Sequence, residues 1–79
     1  MQVRVVLFGH HARLLPPHAS GNATVVEAGD GATLANLLDA LGVPPGERGY
    51  VQVNGVRADA SAALADGDEV RVIVPLGGG

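Results

Sequence analysis

Three histidines, a carboxylate cluster and a run of terminal glycines are the residues of this chain whose types and spacing could do chemistry. His10 and His11 stand side by side after an apolar run, where imidazole nitrogens could in principle offer themselves to a metal. Adjacent residues point to different sides, no cysteine accompanies them, and His18 lies beyond Pro16-Pro17. We therefore read them as loop histidines in water and assign no metal site. Asp66, Asp68 and Glu69 are spaced as a turn and a strand entry. An acid pair would need a pocket that raises one pKa, and a chain this short has little volume to build one. Gly77-Gly78-Gly79 is not a phosphate-binding loop, because such loops lead into a helix whose amide donors complete the cradle. A three-glycine end lacks Cβ atoms, so it can thread, extended, through a channel too narrow for any other residue and present its α-carboxylate. A frayed terminus or an engineered scar is the competing reading.

The elements that would position such an end must come from 79 residues, which is room for one domain and no second. Hydrophobic residues make up 47% and charged residues 16%, a composition that buries a core. A domain this small buries only roughly 60% of its unfolded-chain surface, too little to enclose a deep pocket, so a self-contained enzyme is disfavoured. With no cysteine, disulfides, thiolate metal sites and a cysteine nucleophile are excluded, and a cytoplasmic protein is expected. No leader-like or membrane-spanning run is evident, so a soluble protein with no membrane partner is expected. The net charge is −3 with five arginines and no lysine, which leaves no basic stripe for phosphates and makes nucleic acid an unsuitable partner. The lysine deficit itself agrees with the Ala-, Gly-, Val- and Arg-rich usage of a GC-rich genome.

Gln2 to Phe8 is rich in β-branched residues and reads as a strand with Val3, Val5 and Leu7 on one face. Gly9 to Asn22 reads mostly as loop, with one helical turn allowed over Ala12–Leu15 before the prolines stop it. Ala23 to Ala28 is a second short strand closed by Gly29-Asp30-Gly31. Leu34, Leu37, Leu38 and Leu41 stand at helical spacing, with Thr33 suited to the N-cap and Gly42 to the terminus. Tyr50 to Val53 alternates as a strand into Asn54-Gly55, the favoured hairpin dipeptide, and Val56-Arg57 begins the return. Ser61 to Leu64 is expected to make one helical turn, Glu69 to Val74 to form the last strand, and Pro75 to end it. The predicted fold is α+β, one helix across one face of a mixed sheet. Its expected core is Val3, Val5, Leu7, Val25, Leu34, Leu37, Leu38, Leu41, Val51, Val53, Leu64, Val70, Val72 and Val74.

Phe8 after a Val-rich strand, Gly31-Ala32-Thr33-Leu34 opening a Leu-rich helix, Val53-Asn54-Gly55, Asp66-Gly67-Asp68-Glu69-Val70, and Pro75 before terminal Gly78-Gly79 occur here in one order. In that order and spacing, over nearly the whole chain, the sequence resembles the ubiquitin-like sulfur carriers (MoaD/ThiS-like). That family includes the small subunit of molybdopterin synthase and the thiamine sulfur carrier. The resemblance implies a ubiquitin-like β-grasp domain over 1–75 with a flexible glycine tail over 76–79. It also implies that a partner of the ubiquitin-activating type, an E1-like adenylyltransferase, uses ATP and magnesium to adenylate Gly79, with Gly78 beside it. Sulfur then replaces AMP, and the thiocarboxylate donates its sulfur in a second enzyme. The implied role is molybdopterin (molybdenum cofactor) biosynthesis, with the molybdopterin synthase large subunit as the sulfur-accepting partner. The chain would be no enzyme by itself and would bind no cofactor of its own. Carriers for thiamine, cysteine or transfer-RNA thiolation share this logic. A ubiquitin-like modifier joined to lysines and a pure interaction module remain the readings from other classes.

Alternation also assigns a docking face. If Val70, Val72 and Val74 point inward, then Arg71, Ile73 and Pro75 point outward, as do Val6 and Phe8 on the first strand. With Leu76 and Gly77 they would form an apolar patch near the tail, rimmed by Arg4 and Arg71. The alternative is that Phe8 is core, covered by the loop from Gly9 to Asn22.

Overall fold

The computed structural model describes residues 1–8, 14–15 and 21–73, so the readings placed on His10, His11, His18 and on 74–79, Val74 among them, lie outside the described residues. Gln2–Leu7 forms β1, whose Val3, Val5 and Leu7 are fully buried on one face. Ala23–Glu27 forms β2, antiparallel to β1. Leu34–Leu41 forms α1, and a single 3-10 turn over Pro45–Glu47 follows it. Tyr50–Val53, Val56–Ala58 and Glu69–Ile73 are β3, β4 and β5. The sheet order is β2-β1-β5-β3-β4, with β1 and β5 parallel at its centre and every other pair antiparallel.

The helix begins and ends as its sequence directs. Thr33 Oγ1 accepts the Asn36 N–H at 3.3 Å, and Asn36 Oδ1 accepts the Thr33 N–H at 2.9 Å, a reciprocal capping box. Gly42 stops the helix in the left-handed region at φ 84°. There the Gly42 N–H reaches Asp39 O and the Val43 N–H reaches Leu38 O, each at 3.1 Å, which consumes two orphan carbonyls. This terminus also folds Val43 back onto the core at 1% exposure, a position that periodicity alone does not reveal. Asn54 and Gly55, at φ 53° and 83°, make the two-residue turn that pairs Val53 with Val56.

The core joins the inner faces of β1, β3 and β5 to Leu34, Leu37 and Leu38 of α1, with Leu64 and Val43 closing its margins. Leu41 and Val53 are only partly buried at its edge. Two expectations need correction. Val25 is 55% exposed and not core, because inward-facing Val5 pairs with Thr24 and so turns Thr24 and Val26 inward. Strand side chains alternate with period two, and a one-residue shift moves each of them to the opposite face. Ser61–Leu64 is not helical either. Ala63 bridges to Thr33, Leu34 N–H donates to Ala62 O at 2.9 Å and Leu64 N–H to Ala32 O at 3.0 Å, so the segment binds the helix entry as extended chain.

Candidate functional site

The carboxylates that could have carried acid–base chemistry are occupied with holding loops. Asp66 Oδ1 accepts the Gln2 N–H at 2.7 Å, while Asp68 Oδ2 accepts the Ala65 N–H at 2.8 Å. Glu69 sits between two guanidiniums, with Arg71 Nε 2.9 Å from Oε1 and Arg4 Nε 3.2 Å from Oε2. Both arginines are exposed and Glu69 is partly so, and each such pair contributes on the order of 0.2–1 kcal/mol. Their consequence is positional: they fix two arginines at the junction of the parallel pair. Among the described residues no group of three or more metal-ligating side chains comes together.

The sheet face away from α1 is the surface that the resemblance points to. On it β1 places Arg4 and Val6, β5 places Glu69, Arg71 and Ile73, and β3 places Tyr50 and Gln52, as the registers Val6↔Arg71 and Tyr50↔Ile73 require. Of the residues expected there, Phe8 is 42% exposed just past the end of β1, Ile73 is half-buried and Arg71 is exposed. Phe8 is thus not a core residue, while most of the loop from Gly9 to Asn22 that was to cover it lies outside the described residues. Val6 lies on this face but is 9% exposed, flanked across the ladders by Ala23 and Arg71, so it underlies the surface more than it presents itself. Pro75, Leu76, Gly77, Gly78 and Gly79 lie outside the described residues.

Two apolar members of this face were not foreseen. Tyr50 is half-buried beside Ile73, its ring centroid 5.2 Å from the Arg57 guanidinium carbon, a stacking that steadies both side chains. The alternation of Tyr50-Val51-Gln52-Val53 could have found it, since Val51 and Val53 face inward. Val25 adds exposed apolar area on β2. Continuing the β1–β5 register by one residue sets Phe8 alongside Ile73, so Phe8, Ile73 and Tyr50 run across three adjacent strands at the end from which the chain leaves β5. A contiguous apolar strip of this kind, with arginines at its side, is suited to binding another protein.

A shallow cavity of about 220 Å³ lies where α1 meets the β3–β4 edge of the sheet, with Arg48, Tyr50 and Arg57 among its lining residues. It falls below the roughly 300–1,000 Å³ of ordinary small-molecule sites. Arg48 is already engaged, donating to Asp39 Oδ1 at 2.6 Å and to Val43 O at 2.9 Å. No described helix is long and apolar enough to cross a membrane.

The model of the ThiS family matches residues 5–79. Among curated proteins none matches the chain. Two crystal structures of small archaeal modifier protein 1 from Haloferax volcanii are similar to it. The first has a TM-score of 0.73 at 27% identity and covers 100% of each chain; the second has 0.71 at 26% and covers 95% of this chain and 98% of that one. The structure described as molybdopterin converting factor, subunit 1, from Pyrococcus furiosus has a TM-score of 0.71 at 24% identity over 95% of this chain and 98% of that one. A chain in the complex of subunits 1 and 2 of molybdopterin-converting factor from Helicobacter pylori has a TM-score of 0.62 at 22% identity over the whole of both chains. At those last two identities the likeness is one of fold. The five-stranded mixed sheet with one helix is the ubiquitin-like β-grasp.

Proposed function

Because the chain belongs to the ThiS family, we propose that it is a sulfur carrier of the molybdopterin synthase small-subunit type, with Gly79 as the atom-bearing end. The family is one of sulfur carriers and ubiquitin-like modifiers, small proteins that serve as co-substrates and not as catalysts alone. The observation that carries the reading is that the family match extends over 5–79, from within β1 to the terminal glycines. In this reading Gly79 begins as a carboxylate, a poor electrophile. An adenylating partner exchanges pyrophosphate of ATP for the carboxylate oxygen, and the mixed anhydride carries AMP as a leaving group. A sulfur nucleophile then attacks the carbonyl carbon and expels AMP, leaving a thiocarboxylate on a side-chain-free arm. ATP and magnesium belong to that partner. The strip of Phe8, Ile73 and Tyr50 would hold the carrier while Gly78 and Gly79 enter the partner's channel. The sulfur acceptor in this reading is a molybdopterin synthase large subunit, as the two-subunit Helicobacter pylori complex suggests by analogy of fold.

The test is the intact mass of the protein after incubation with ATP, a sulfur source and extract of its native organism. Replacement of one oxygen by sulfur, lost on deletion of Gly79, supports the carrier; an unchanged mass with an activating enzyme present rejects it. A second reading, a protein modifier joined through Gly79 to lysines, draws on the likeness to small archaeal modifier protein 1. Isopeptide-linked glycine remnants on cellular proteins would support it.

A further inference from the structure

All five cationic side chains of this protein are arginines; it contains no lysine. If Gly79 is activated as proposed above, the acyl carbon becomes open to any amine within reach. An amine would attack it, expel AMP, lose a proton and leave an amide, which ends the sulfur cycle for that molecule. Whatever the origin of the composition, its chemical consequence depends on where an amine could lie relative to the tail.

Arg71 precedes Gly79 by eight positions, and Arg4 lies opposite Glu69 across the β1–β5 pair; both arginines are held on Glu69. An amine on so short a tether would meet the chain end at an effective concentration on the order of millimolar. A guanidinium keeps its proton and is no nucleophile under these conditions, while it retains the ion pair that a lysine would also make. The remaining aliphatic amine is the α-amine of Met1, and α-amines are the readiest protein amines near neutral pH. That amine donates to Ala28 O at 2.8 Å and stands 3.8 Å from Glu27 Oε1. It also lies at the wrong end. β1 and β5 are parallel with Arg4 opposite Glu69, so Met1 and Ile73 are separated by about seven residues, or roughly 23 Å, along the strand direction.

We infer that the protein is a donor poorly placed to acylate itself: arginine occupies the cationic positions of the strand that leads into the tail, and its α-amine is held by Ala28 O at the end of β1 far from Ile73. An activated molecule then reacts with its sulfur source or with a foreign acceptor sooner than with an amine of its own. This inference rests on the reading of Gly79 as an activated acyl end.

The experiment places an acyl azide at Gly79 of the full chain, made from the C-terminal hydrazide, and follows intact mass at neutral pH. An amine attacking this carbon forms the amide and releases hydrazoic acid. The unaltered chain is expected to end as the hydrolysed monomer, and as an amide only with an added lysine-containing peptide, which shows that the azide is reactive. Arg71→Lys is expected to yield cyclised monomer, one water lighter than the free acid, at least about fivefold above the unaltered chain. Arg57→Lys, whose side chain lies off the Glu69 cluster, is expected to give covalent dimers and guards against a local disturbance at Arg71. Self-acylation of the unaltered chain at Met1 in the yield of Arg71→Lys would overturn the inference, as would an Arg71→Lys chain that stays inert. No activating enzyme takes part, so either failure leaves the sulfur-carrier reading untouched; an absent oxygen-to-sulfur shift would in turn leave this result standing.

Discussion

Asn54 and Asp68 lock the hairpin to the entry of the last strand. Asn54 Nδ2 donates to Asp68 Oδ1 at 2.9 Å, and Asn54 Oδ1 accepts the Glu69 N–H at 2.9 Å, while Asp68 Oδ2 holds the Ala65 N–H. The Asp-Gly-Asp-Glu segment is therefore a structural clasp. It also reaches β1, where the Arg4 N–H donates to Asp68 O at 2.9 Å and the Gly67 N–H to Gln2 O at 2.8 Å. The sheet from which the tail leaves is thereby fixed at its far end.

Asp68→Ala removes the acceptor for Asn54 and for Ala65 together. A loss of about 1–3 kcal/mol is expected in urea unfolding, with oxygen-to-sulfur exchange at Gly79 intact in the folded protein. Loss of exchange without loss of stability would show that the aspartate acts in the chemistry.

Leu38 is 1% exposed and packs the helix onto the sheet. Leu38→Ala should cost about 2–5 kcal/mol, since the rigid sheet closes only partly over the space left behind. With no disulfide to share the load, thermal unfolding should show a large drop in Tm.

Phe8→Ser tests the docking strip. At 42% exposure the ring contributes little to the core, so partner affinity should fall by more than the melting temperature suggests. An unchanged affinity with a lowered Tm would assign Phe8 to folding.

Deletion of Gly78 and Gly79 should abolish the sulfur-dependent mass shift and leave the unfolding curve unchanged, because no core residue is touched. Gly78→Val should behave alike, its branched side chain obstructing a channel that admits glycine. Retained function on deletion would point to a pure interaction module.

Local signals in the sequence determined the elements. The 3-4 spacing of leucines, Thr33 and Gly42 at the ends of α1, Asn54-Gly55 and the alternation in β1 and β5 each act over a few residues, and each appears as read. The terminal glycines and the order of the motifs likewise announced the family. What only the tertiary structure decided was phase and partnership. Val25 and Val26 offer the same β-branched surface, and the pairing of Val5 with Thr24 selected the one that faces inward. Val43 was drawn into the core by the fold-back after Gly42, and Ser61–Leu64 gave up a helical turn to bind the helix entry. Tyr50 joined Phe8 and Ile73 because β5 lies between β1 and β3, a strand order set by burial across the whole sheet and by no residue's neighbours in sequence. The parallel pairing of β1 with β5 likewise set the Met1 amine at the end of the sheet opposite Ile73.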